Sequence, residues 1–121
     1  MAGETSATMG IEGRAATRLV VFLTEDDRTG HRATAEVLLE RARASGLAGA
    51  TLWRGIEGFG ATGHLRAERL PDLARGLPLV LEVIDEQVSI AAFLPTLRES
   101  AAGALVTMEP VEIAGPAPAA R

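Results

Sequence analysis

The order of its apolar runs and helical stripes predicts that this chain adopts an α+β fold, βαββαβ, with a four-stranded antiparallel sheet and two helices on one face. Three observations predict it. Short apolar runs of strand length alternate with amphipathic stretches of helix length, the strand–helix–strand unit occurs twice, and a glycine-rich connection separates the two units.

Arg18–Thr24 opens the pattern with Leu19, Val20, Val21, Phe22 and Leu23 in a row, bounded by polar residues and too short for a helix, which predicts a central strand. His31–Ser45 sets Ala35, Leu38, Leu39 and Ala42 at helical spacing, with Glu36, Glu40, Arg41 and Arg43 elsewhere on the wheel and Gly46 placed to cap the C-terminus. Ala50–Ile56, carrying Thr51, Leu52, Trp53 and Ile56, predicts the second strand, and Leu77–Asp85, with Leu79, Leu81 and Val83 on one face, the third. Asp85 and Glu86 then open a helix whose stripe is Ile90, Leu94, Leu97 and Ala101, their charges suiting its positive end. Pro95 removes one backbone hydrogen bond inside it and should kink or shorten it. Leu105–Ile113 is the fourth strand, and Pro110 within it is tolerated mainly on an edge or at a bulge. Right-handed crossovers in both halves give the ferredoxin-like arrangement, whose second sheet face stays uncovered; its apolar groups make self-association a physical expectation.

Composition narrows the function. With 121 residues, 47 % hydrophobic and 23 % charged, the chain has material for one domain with its own core. Residues 17–113 are expected to form it, with 1–16 a disordered lead and 114–121 a disordered Pro/Ala tail. A net charge of -4 argues against a nucleic-acid partner, which needs a strongly basic face. All 12 basic residues are Arg, so Walker-type phosphate loops, Schiff bases and lysine nucleophiles are excluded. The chain has 0 Cys, hence no disulfide or thiolate chemistry, and a cytoplasmic location is the expectation. No apolar run is long enough to insert into a membrane.

Two segments carry the polar chemistry. The connection Gly55-Ile56-Glu57-Gly58-Phe59-Gly60-Ala61-Thr62-Gly63-His64 frees backbone N–H groups to approach an anion, or serves simply as a mobile turn. Within it Gly58–Gly63 fits GxGxxG, but a dinucleotide-binding fold would need a crossover helix over Ala61–Gly76, which Gly63, Pro71 and a shortage of apolar residues oppose. Arg54, Arg66 and Arg69 flank it and suit an anionic ligand. The second segment, Glu25-Asp26-Asp27-Arg28, follows the first strand, with His31 beyond; it suits a metal or an amine, or ordinary helix-start chemistry. No metal-ligand spacing joins the 2 histidines, His31 and His64, and no serine has a base beside it, so no catalytic residue, metal or cofactor is assigned.

At Trp53-Arg54-Gly55-Ile56-Glu57-Gly58-Phe59-Gly60 the chain resembles the PII superfamily, and within it the PII-like family called domain of unknown function 190. The likeness extends through Leu23-Thr24-Glu25-Asp26-Asp27-Arg28, Leu79–Asp85 and Phe93-Leu94-Pro95. The resemblance implies a homotrimeric regulatory protein, not an enzyme, with a small anionic metabolite or nucleotide bound in clefts between subunits. It implies that the loop between strands two and three, the T-loop of PII proteins, contacts a partner protein. A membrane transporter or channel is one such partner, because relatives are often encoded beside a small fluoride channel. Gly58-Phe59-Gly60 and Gly63-His64 resemble the GFG and GH elements of PII proteins. Between them Ala61-Thr62 replaces a longer polar stretch with a nucleotide-contacting Gln, and Ala104, after the retained Gly103, stands where PII proteins place a phosphate-binding Lys. Such a loss removes a contact of about 1.5–3 kcal/mol. With 0 Tyr, uridylylation of a loop tyrosine is excluded. The expected ligand set is Glu25, Asp26, Asp27, Arg28, Arg54, Gly55, Gly58, Phe59, Gly60, Gly63, His64, Arg66 and Gly103. The alternative is a trimer resembling the CutA branch, holding a divalent metal through Glu25, Asp26, Asp27 and His31 or His64 across an interface.

Overall fold

The computed structural model describes residues 13–115. Its elements are β1 (Arg14–Thr24), β2 (Arg28–Thr29), β3 (Arg32–Ala33), α1 (Thr34–Ala44), β4 (Ala50–Arg54), β5 (Glu57–Gly58), β6 (Arg66–Ala67), a 3₁₀ turn (Pro71–Leu73), β7 (Pro78–Asp85), α2 (Gln87–Ser100) and β8 (Leu105–Ile113). The main sheet has the order β4-β7-β1-β8, with every pairing antiparallel. This is the α+β, ferredoxin-like arrangement expected. The second and third predicted strands are β4 and β7, and Ala61–Gly76 holds only the β6 bridge and the 3₁₀ turn rather than a crossover helix.

Side chains alternate across the two central strands as a period of two requires. Leu19, Val21 and Leu23 of β1 and Leu79, Leu81 and Val83 of β7 face the helices, where they meet Ala35, Leu38 and Ala42 of α1 and Ile90, Phe93 and Leu97 of α2. β1 begins at Arg14, ahead of the Arg18 start expected for the strand, because β8 is long enough to pair with it back to Ile113. Residues 1–12 and 116–121, which hold most of the expected lead and tail, lie outside the described residues.

Three local expectations are corrected. α1 starts at Thr34, not His31, because Arg28–Thr29 and Arg32–Ala33 pair as a small hairpin. α2 turns Phe93 and Ser100 inward beside Ile90 and Leu97, while Leu94 and Ala101 pack at the margin of the core. Its run is not cut short at Pro95, whose ring lies on the exposed side. Pro110 is on an edge strand, where its missing N–H costs no ladder bond to a further strand.

Two ends are fastened by specific groups. α1 closes in a Schellman motif, with Leu47 N–H on Ala42 O (3.3 Å) and Gly46 N–H on Arg43 O (3.1 Å). Asp85, buried at the end of β7, accepts from Ala48 N–H (2.9 Å) and Glu86 N–H (2.7 Å), tying the α1–β4 connection to the start of α2.

The face away from the helices carries the register row Trp53–Val80–Phe22–Leu105, one residue from each strand. Trp53, Phe22 and Leu105 are 58 %, 43 % and 64 % exposed. Beside the row Arg18 bridges two strands, with Nε on Glu82 Oε2 (2.5 Å) and Nη1 on Glu109 Oε1 (2.7 Å).

Candidate functional site

A cleft of about 1090 Å³ opens at one end of the sheet, where the end of β1, the start of α1, the glycine-rich connection, the start of β7 and the α2–β8 turn converge. Each wall follows from local bonding. After β1 the chain turns back on itself: Asp27 N–H reaches Thr24 O (3.2 Å), and Thr24 N–H donates to Asp27 Oδ2 (2.9 Å). Asp27 O then accepts from Thr34 N–H (2.9 Å), which seats the first turn of α1. Part of the acidic segment is therefore turn chemistry, with Asp27 spending one carboxylate oxygen on its own loop.

Glu25 is fixed differently. Its N–H donates to Leu77 O and its Oε1 accepts from Leu77 N–H, both at 3.0 Å, so it staples the end of β1 to the start of β7 and does not line the cleft. Asp26 does line it, with its carboxylate against the backbone of Gly76, whose φ is +65°.

The floor is a hydroxyl chain. Thr29 Oγ1 donates to Ser100 O (2.9 Å), and having spent its one proton there it accepts from Thr34 Oγ1 (2.8 Å). Ser100 Oγ in turn accepts from Arg41 Nη1 (2.6 Å). The β2–β3 hairpin, α1 and the end of α2 are thus held in one network beneath the cleft.

Of the residues expected to bind a ligand, Asp26, Asp27, Arg28, Gly58, Phe59, Gly60, His64, Arg66 and Gly103 line the cleft. Arg54, Gly55, Gly63 and Glu25 do not. Arg54 is taken by Glu68 (Nη2–Oε2, 2.9 Å), with Glu25 Oε2 at 4.0 Å from Nη1. Gly55 donates its N–H to Pro78 O (2.7 Å) and Gly63 to Gly60 O (2.9 Å), so both shape the connection from outside. Arg69, the third flanking arginine, is held by Glu57 (3.2 Å). By contrast Arg28 and Arg66 make no ion pair among the described residues.

Sequence reasoning missed Phe22, Thr34, Gly76, Pro78 and the Ser100–Ala102 segment, all of which line the cleft. Among the described residues no three His, Asp or Glu side chains converge as metal ligands, so a metal at Glu25–Asp27 would need donors from a second copy. No helix among them is long and apolar enough to cross a membrane.

Known proteins bear on this arrangement. A UPF0166 protein of Aquifex aeolicus (strain VF5) is 40 % identical over 95 residues, covering 78 % of this chain and 90 % of the relative. Among solved structures, CPII of Thiomonas intermedia K12 bound to ADP and bicarbonate superposes with a TM-score of 0.59 at 15 % identity, covering 87 % of this chain and 94 % of that one. A putative PII-like signaling protein of Thermus thermophilus gives 0.57 at 22 % identity, covering 81 % and 89 %. At these identities the likeness is one of fold. The model of the DUF190 family, described as an uncharacterized ACR, matches residues 16–113, so the chain belongs to that family and carries the PII-like fold.

Proposed function

We propose that the protein is a non-catalytic, trimeric PII-like regulator that binds a small anionic metabolite or nucleotide in clefts between subunits. The observation that carries this reading is the cleft itself, lined together by Arg28 and Arg66, which make no ion pair among the described residues, by the glycine-rich Gly58–Thr62 stretch and by the Ala101–Ala104 turn. Phe22 and Leu105 belong both to the cleft wall and to the exposed row Trp53–Val80–Phe22–Leu105. A second copy seated on that row would complete the cleft from outside, which supports an inter-subunit site. The bound ADP and bicarbonate of Thiomonas CPII make nucleotides and small carboxylates the first ligands to try.

The connection Gly55–Leu77 is the output element in this reading. Ile56, Phe59 and Leu65 are exposed on it, while Arg69 pairs with Glu57 and Glu68 with Arg54 of β4, which supports an apolar contact surface for a partner such as a membrane transporter or channel.

The test combines light scattering with a thermal-shift panel of ATP, ADP, AMP, cyclic nucleotides, 2-oxoglutarate, bicarbonate and divalent metals. A ligand at 100 times its dissociation constant adds about 2.7 kcal/mol to native stability. A trimer stabilised by an anion supports the proposal. A monomer unmoved by every anion refutes it, a shift with metals alone favours the CutA-like alternative, and steady turnover of any nucleotide refutes the non-catalytic assignment.

A further inference from the structure

We propose that the cleft selects a nucleotide bearing a single phosphate over its di- and triphosphate forms, an inference that rests on the ligand-binding reading above. The argument is a charge count. Two lining guanidiniums, Arg28 and Arg66, are opposed by two lining carboxylates, Asp26 and Asp27, and His64 is counted neutral at pH 7. The helix ends do not break the balance: Thr34 brings the positive end of α1 to the cleft and Ser100 the negative end of α2, each about half a charge. The lining of one subunit is therefore close to neutral, and every phosphate beyond the first adds charge that nothing there offsets.

Beyond Arg28, Arg66 and His64, no basic residue of this subunit lines the cleft. The chain has no Lys, and the flanking Arg54 and Arg69 are engaged by Glu68 and Glu57. Arg43, Arg75 and Arg98 also lack ion pairs among the described residues, but none lines the cleft.

The neutral donors are few as well. In the α2–β8 turn Ala101 N–H is spent on Leu97 O (2.8 Å) and Ala104 N–H on Ala101 O (3.1 Å), which leaves the N–H groups of Ala102 and Gly103 without a partner among the described residues. Two adjacent amides and a guanidinium fork match the oxygens of one phosphoryl group.

Isothermal titration of the full chain with AMP, ADP and ATP, at fixed ionic strength and without divalent metal, tests the proposal. AMP should bind at least tenfold more tightly than ATP, with ADP between them. Asp26→Asn should narrow that gap severalfold, since removing one negative charge favours the most highly charged ligand most. Its carboxylate accepts no hydrogen bond among the described residues, so the variant should fold, and circular dichroism checks it. Arg66→Ala should weaken AMP at least tenfold and serves as the independent variant. Equal or tighter binding of ATP, or a gap unmoved by Asp26→Asn, overturns the selectivity while leaving the ligand site standing. Failure of all three nucleotides to bind overturns the selectivity and the nucleotide reading of the cleft, and the anion panel above then decides whether a small anionic metabolite binds there.

Discussion

Gly76 and Gly46 both adopt left-handed backbone, at φ +65° and +78°, yet replacing each by alanine should have very different consequences. At Gly46 a Cβ would meet nothing within 4 Å, so Gly46→Ala incurs only the conformational cost of a side chain in that region, about 1–2 kcal/mol. At Gly76 the same atom would fall on the Asp26 carboxylate, closer than real side chains approach. The carboxylate must swing out or the β7 entry must shift, and overpacking of this kind costs a further ~1–3 kcal/mol. Gly76→Ala should therefore lose about 2–5 kcal/mol, a large share of the ~5–15 kcal/mol that holds a domain folded. Urea denaturation followed by circular dichroism measures both variants, at one protein concentration because association shifts apparent stability. Adding Asp26→Ala to Gly76→Ala should bring its cost down to that of Gly46→Ala, as a double-mutant cycle requires of two groups in direct collision. A Gly76→Ala no worse than Gly46→Ala, or no rescue by Asp26→Ala, would refute the reasoning.

Phe93→Ala should destabilise by about 3–5 kcal/mol in the same assay, since a fully buried α2 ring is removed from the core shared by the sheet and both helices. Thr29→Val should cost about 1–3 kcal/mol, because it leaves Ser100 O without its donor and Thr34 Oγ1 without its acceptor. Phe22→Asp combined with Trp53→Asp should abolish self-association in light scattering while leaving the far-ultraviolet dichroism intact; an unchanged mass would remove that face from the proposed interface. The Arg32 guanidinium, hydrogen-bonded to Glu40 at 2.7 Å, holds the Glu40 carboxyl below the usual glutamate range. The small stabilisation it adds is present above the unfolded-state value and lost as pH falls through the lower folded value. An NMR titration should show the Glu40 midpoint rise in Arg32→Ala.

The central strands of the main sheet were readable because β1 carries a short apolar run and β7 buries alternate residues, a signal that survives without tertiary context. The β2–β3 hairpin was not, because His31-Arg32-Ala33 has helix-compatible composition and its strands are only two residues each, too short for a period to register. The site was half legible for a related reason. Glycines and acidic turns announce themselves locally, so Asp26, Gly58 and Gly60 were found. Whether an arginine is free is a tertiary property: Arg54 looks as available as Arg66 in sequence, yet Glu68, fourteen positions away, occupies it at 2.9 Å. Phe22 and Pro78 were read as strand residues and are; nothing in their neighbours says that a strand end is also a wall.

That double use of Phe22 ties assembly to binding. Phe22 is the last apolar residue that β1 places on its open face, and the strand runs through Thr24 into Glu25–Arg28, so this member of the apolar row lies close in sequence to the segment that carries Asp26 and Arg28. Leu105 repeats the logic from the other side, following directly on the Ala101–Ala104 turn. In the proposed trimer, a second copy covering the row therefore removes water from the mouth of the cleft and strengthens each charged contact inside it. By linkage, the factor by which assembly tightens the ligand is the factor by which the ligand tightens assembly. A regulator built this way needs no separate transmission path: the ligand acts on the wall that the subunits share.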